Sequence, residues 1–317
     1  MDRRMLAMGA LLMLFLGLIY AWSLFAAPLE QVFGWSRSQT AVTFSISMTT
    51  FCLGSIGSGL MLKKHPPARI LLLSAALFLL GFFLASGMTS IWGLYLSYGV
   101  LCGLGVGLSY NAILATVPKW YPGRAGFVTG TLLMGMGLGS LILGTVVNRV
   151  MEVLMWATTF RILAVVFFLV FVLGSFNLSS PKKQEQAATG GREDYSLPEM
   201  LKTRDFWLIF IWATIASAVG LGIVSNASYM AQELGVTAVA LPLVVGMVSV
   251  GNGVGRLIFG AATDKFGGKR AMALSNLVYA TGLALAILAS KKALLFLIAA
   301  GFVLIGVAFG APSTVSA

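Results

Sequence analysis

VVGMVSVGNGVGRLIFGAATDKFGGKR, Val244 to Arg270, is the stretch whose reading decides the fold. Its first part is apolar and rich in glycine. One arginine, Arg256, interrupts it eight residues before a charged run that opens at Asp264. On a helix rising about 1.5 Å per residue, Arg256 lies roughly 12 Å inside that charged end. A charge at such depth in a bilayer costs from about 2.5 to above about 10 kcal/mol, so it ordinarily faces a cavity and works there. The alternative is that its long side chain snorkels to the interface, since it stands off the centre of the span. Ser249, Asn252 and Arg256 stand at i, i+3 and i+7, one polar stripe on an otherwise apolar segment. Gly251 and Gly255, four apart, admit a second helix at close range. A guanidinium fork that faces a cavity suits a carboxylate, which it grips bidentately.

Composition agrees with a membrane setting. Of 317 residues, 58% are hydrophobic and only 10% charged, and the mean hydropathy is +0.93. Soluble domains carry about a quarter charged residues. Apolar runs of about 20 residues recur, which predicts an all-α polytopic membrane protein. The net charge of +11 could suggest nucleic acid, but the basic residues fall in short loops, and the positive-inside rule accounts for them. No nucleic-acid partner is expected. Cys52 and Cys102 lie inside apolar runs and read as packing residues, and the only histidine, His65, lies in a loop, so no metal or other cofactor is expected. No nucleophile–base cluster appears, and an enzyme is not expected.

Taken in order, about ten spans are predicted: 5–27, 40–62, 70–87, 91–117, 125–147, 157–177, 206–226, 238–262, 270–289, and one opening near Ala293. Residues 178–205 are polar and predict a cytoplasmic linker, with a short surface helix in SLPEMLKTRDFW. The expected domains are a six-helix bundle at 1–177, that linker, and a partial bundle at 206–317. With an internal N-terminus, 15 of the 21 lysines and arginines fall inside and five outside. This places the N-terminus in the cytoplasm of a multi-pass protein of the plasma (inner) membrane. A weak repeat is visible at an offset of 201 residues: Gly54 to Gly59 with Lys63, Lys64 and Arg69, against Gly255 to Gly260 with Asp264, Lys265 and Arg270. Paired six-span halves are a transporter plan, so the chain is expected to lack about two spans.

The run Gly260, Asp264, Lys265, Gly267, Lys269, Arg270 resembles the loop motif of the major facilitator superfamily, G-x-x-x-D-[RK]-x-G-x-[RK]-[RK]. In such a turn the aspartate can face helix N-terminal dipoles while the basic residues hold lipid headgroups. The first-half loop departs from it, with Lys63 in place of the aspartate. More narrowly, GLIYAWSLFAAPLE (Gly17 to Glu30), WSRSQTAVTFSI (Trp35 to Ile46), GLGVGLSYNAILATVPKWYPGRAG (Gly103 to Gly126), LPEMLKTRDFWLIF (Leu197 to Phe210) and GNGVGRLIFG (Gly251 to Gly260) resemble the oxalate/formate antiporter family, a relative of the monocarboxylate transporters. The resemblance implies a major facilitator fold, alternating access, and small carboxylate anions bound by a span-8 arginine, whose place Arg256 takes. The resemblance also implies a second basic residue, a lysine in span 11, a span that the 317 residues do not reach.

The remaining candidates are weaker. Tyr20 and Trp22 resemble the family's aromatic pocket wall, or else form an interfacial belt. Gly99, Gly103 and Gly107 read as a packing seam, and Tyr110 and Asn111 just beyond it are candidate substrate contacts. The glycine runs of spans 4 and 5 follow no strand and carry no phosphate-binding lysine, so they are not nucleotide loops. None of the ten acids lies well inside a predicted span, and Asn252 stands where proton-coupled monocarboxylate carriers have aspartate. Exchange or facilitated diffusion is therefore expected over proton symport. The alternatives are a lactate/pyruvate-like carrier and, in another class, a non-transporting truncated membrane protein. The bilayer is the expected surrounding, and a monomer the expected state.

Overall fold

In a computed structural model, the structure describes residues 3–179, 197–233, 241–292 and 295–315, and every regular element among them is helical. Eight helices among them are long and apolar enough to cross a membrane. A bilayer interior leaves a backbone no other partner than itself, which is why apolar runs of this length close into helices.

The chain opens with α1 (Arg3–Leu16), a 3₁₀ turn (Gly17–Ala21) and α2 (Trp22–Phe33). The sequence predicts an end at Pro28. Instead the helix runs on through Pro28 to Phe33, because one missing N–H costs less in an apolar layer than abandoning the helix. Glu30, expected in a loop, thus sits on a helix and accepts a hydrogen bond from the Thr40 hydroxyl. Next come α3 (Arg37–Met61) and α4 (Pro67–Ser86). Ser36 starts α3 with a reciprocal capping box to Gln39. Pro67 opens α4 at a position where the N–H would be unused. Span 4 is composite: α5 (Ile91–Leu94), a π-helical segment (Tyr95–Cys102), α6 (Gly103–Thr116) and a 3₁₀ turn (Val117–Trp120).

Spans 5 and 6 form one 53-residue element, α7 (Ala125–Asn177), broken at one residue, Met155 (φ 62°, ψ 158°), where the sequence predicts a longer connection. Of the predicted linker, residues 180–196 lie outside the described ones. The expected short helix is present as α8 (Leu197–Met200), followed by α9 (Arg204–Glu233), α10 (Leu241–Phe266), α11 (Gly268–Lys292), α12 (Leu295–Phe309) and α13 (Ala311–Val315). α10 runs four residues past its predicted end at 262. Asp264 and Lys265 are therefore in its last turn, and the charged loop shrinks to Gly267, whose φ of 81° lets one residue join α10 to α11.

The chain divides into two compact units. The first comprises Met1–Tyr121 and Gly135–Gln186, the second Pro122–Met134 and Ala187–Ala317. The first has an aromatic core: Phe25 stacks on Phe160 at 5.1 Å, Phe78 meets Phe171 at 4.9 Å, and Tyr98 lies against Trp22 at 4.5 Å. In the second, α12 packs against α10 and α11, and its Ile298, Phe302, Ile305 and Ala308 are buried. The repeat seen in the sequence is a repeat of packing. A Cβ at Gly54 would lie 2.6 Å from the Leu104 carbonyl oxygen of α6. A Cβ at Gly255 would lie 2.8 Å from Val307 Cα of α12. Each glycine brings two backbones together within its own unit.

Candidate functional site

The polar face of α10 is the strongest candidate, and its surroundings follow from small residues. A Cβ at Gly130 would collide with the Arg256 carbonyl, and one at Gly310 would lie 2.7 Å from the Asn252 carbonyl oxygen. Those absences bring α7 and the α12–α13 junction onto the backbone of α10 at Asn252–Arg256. Arg256 is half-buried, and its Nη1 donates to the Leu133 carbonyl of α7. That carbonyl already serves its own helix and lends its second lone pair. That neutral acceptor orients the guanidinium plane. One turn earlier, Asn252 Oδ1 is buried and has no hydrogen-bond partner among the described residues. A carboxamide offers one acceptor and two donors, so Asn252 is able to meet either end of a polar ligand. The side chain of Ser249 lies outside the described ones.

The other candidates belong to the first unit. Tyr20 is 46% exposed. Trp22 is buried, its indole N–H donates to the Thr40 carbonyl at 3.0 Å, and its ring lies on Tyr98. The Tyr110 ring meets Phe51 edge-on at 5.1 Å. Asn111 extends toward α3, where a Cβ at Gly59 would stand 3.4 Å from its Nδ2. Trp22 is thus tied to the N-terminal end of α3, while Tyr110 and Asn111 lie together on α6.

The charged motif at the end of α10 has a definite partner. The Asp264 carboxylate accepts the Gly126 N–H and the Phe127 N–H, each at 2.7 Å, one on each oxygen. These are first-turn amides of α7, which have no partner within their own helix. A carboxylate there also meets the positive end of the helix dipole. Gly126 and Gly260 make this possible by mutual approach: a Cβ on either would collide with the other's carbonyl. Lys265 Nζ lies 5.2 Å from the Phe266 ring centre, and Lys269 and Arg270 are exposed. The sequence predicts a helix N-terminus opposite Asp264 without saying which. The short PGRAG segment before an apolar run marks one such terminus. The Leu133 carbonyl carries no sequence signal at all.

Two helical units of apolar spans, the second with a half-buried polar face around one arginine, are the frame of a polytopic membrane protein. The chain belongs to the major facilitator superfamily, whose description, Major Facilitator Superfamily, it matches over residues 6–317. It is 29% identical over 284 residues to an uncharacterized MFS-type transporter, YhjX, of Escherichia coli (strain K12), a match covering 89% of this chain and 71% of that protein. It is 27% identical over 283 residues to the oxalate:formate antiporter of Oxalobacter formigenes, covering 88% and 68% respectively. Among solved structures, the MFS proton:xylose symporter XylE bound to 6-bromo-6-deoxy-D-glucose superimposes with a TM-score of 0.67 at 17% identity, covering 99% of this chain and 84% of that one. That likeness shows the fold.

Proposed function

We propose that this transporter moves small carboxylates across the membrane by anion exchange of the oxalate/formate kind. The observation that carries the reading is the α10 polar face: Arg256, oriented by the Leu133 carbonyl, one turn from the buried Asn252 Oδ1. A carboxylate presents two oxygens to the planar fork of a guanidinium, the geometry arginine grips best. The match to an oxalate:formate antiporter along most of both chains supports the same substrate class. Exchange follows from electrostatics. An arginine without its anion resists passage through an apolar layer, and a bound carboxylate removes that cost, so the return step needs an anion too.

In this reading Asn252 and Ser249 assist Arg256, and Tyr20, Trp22, Tyr110 and Asn111 are further candidate substrate contacts. Residues 1–177 act as a six-helix bundle, 178–205 as a linker and 206–317 as a second bundle. The chain works as a monomer in the plasma (inner) membrane, its N-terminus on the cytoplasmic side. The test is counterflow of radiolabelled oxalate or formate into proteoliposomes loaded with unlabelled anion. Wild-type chain is expected to accumulate label transiently, and Arg256→Gln to lose at least about tenfold of that rate, the order of one charge-assisted contact. Equal rates in the two would refute the assignment. Uptake driven by an inward proton gradient without internal anion would favour a lactate/pyruvate-like carrier.

A further inference from the structure

Span 4 departs from the α-helix between α5 and α6, where Tyr95–Cys102 hold π-helical register. That register is rare, and π turns within α-helices concentrate at functional positions. Small residues on both sides make room for this wide turn. A Cβ at Gly81 of α4 would lie 2.6 Å from Cys102 Sγ and 2.9 Å from the Ser97 carbonyl oxygen. On the other side, a Cβ at Gly103 would lie 2.7 Å from the Ser47 carbonyl oxygen of α3.

Thr50 reaches into the turn from α3. Its buried hydroxyl lies 2.7 Å from the Gly99 carbonyl oxygen, to which it donates. A second acceptor, the Ile46 carbonyl one turn back in α3, lies 3.0 Å from the same hydroxyl. In α register the Gly99 carbonyl would take the Gly103 N–H, four residues on. Here the Gly103 N–H turns to the Val100 carbonyl, and Thr50 provides a donor from outside the span. If the turn tightens to α, the Thr50 hydroxyl falls back on Ile46. Neither register leaves a polar group stranded in the apolar layer, where stranding is costly. Two registers that each satisfy their polar groups are what a switch needs.

The turn is also placed to transmit a change. Tyr98, at its middle, packs on Trp22 at 4.5 Å and on Phe82 at 6.1 Å. Beside it lies a cavity of about 10 Å³, about the room of one water molecule, lined in part by Phe82, Tyr98, Cys102 and Phe167. One residue of register rotates the C-terminal remainder of a helix by about 100°. In span 4 that remainder is α6, which carries Tyr110 and Asn111.

We propose that Tyr95–Cys102 is a register switch in span 4, and that Thr50 is the positioning residue holding its π form. Only the transport arm of the test rests on the carboxylate reading. The full chain in lipid nanodiscs is compared as wild type, Thr50→Val, Thr50→Ser and Gly81→Ala, by amide hydrogen exchange over residues 95–104 and by oxalate counterflow. Thr50→Val keeps the shape and loses the donor. It is expected to slow exchange across 99–104 by about fivefold as the turn settles into α register, the order one hydrogen bond carries, and to lower the maximal counterflow rate by a similar factor. Thr50→Ser keeps the donor and stays within about twofold of wild type in both. Gly81→Ala crowds the wide turn without touching Thr50 and slows exchange in the same direction. Unchanged exchange in Thr50→Val, faster exchange in Gly81→Ala, or a serine variant as altered as the valine one overturns the switch. A wild-type chain that exchanges no oxalate refutes the carboxylate reading, while the hydrogen-exchange arm still decides the switch.

Discussion

Replacing Asp264 with asparagine isolates the charge in the clasp between α10 and the first turn of α7. The carboxylate accepts two backbone N–H groups at 2.7 Å, one per oxygen. Asparagine keeps one oxygen and turns an NH₂ toward the other amide, donor against donor. A hydrogen bond to a charged group contributes about 1.5–3 kcal/mol, and Asp264 is exposed, so water replaces part of the loss and the low end applies. Of that, the dipole supplies about 0.3–1 kcal/mol, screened by salt. The expected cost is about 1.5 kcal/mol, roughly tenfold in the equilibrium between clasped and open first turn. Hydrogen exchange over residues 125–131 reads it directly, because Gly126 and Phe127 are the amides whose partner is lost. Wild-type protein at low salt is expected to protect them about tenfold better than Asp264→Asn, and added salt to narrow that gap. Equal protection in the two proteins, or a gap indifferent to salt, would refute the clasp as an electrostatic contact. A general loss of stability would instead quicken exchange throughout the unit.

Two further substitutions test the packing. Gly251→Val places a Cβ 2.7 Å from the Val303 carbonyl oxygen, forcing α10 away from α12; a loss of about 1–3 kcal/mol is expected, seen as a lower Tm in detergent, and an unchanged Tm would contradict the close approach. Met155→Gly replaces a residue at φ 62°, ψ 158°, a region that suits glycine, and its side chain is 71% exposed, so little packing is lost; a gain of about 1 kcal/mol is expected, and a lower Tm would contradict the strained turn.

Local composition by itself determined that this chain is a bundle of membrane-spanning helices. Hydropathy sums over about 20 neighbouring residues, and the backbone of such a run has nowhere but its own helix to bond. The same local logic marked Arg256 as an intramembrane charge on a polar stripe and Gly251 and Gly255 as a close-packing edge; that Asp264 can face a helix N-terminus came with the loop motif it resembles. Tertiary structure alone decided which partners these residues meet. Gly126 and Phe127 lie more than 130 residues from Asp264, and Leu133 lies 123 residues from Arg256. Every backbone amide and carbonyl looks alike in sequence, so nothing local singles out these. The π register of Tyr95–Cys102 was equally hidden, because it depends on the space left by Gly81 and on a hydroxyl from α3. Hydrophobicity is a property of a segment and can be read along the chain. A hydrogen bond is a property of two atoms at one distance, and only the packed helices set that distance.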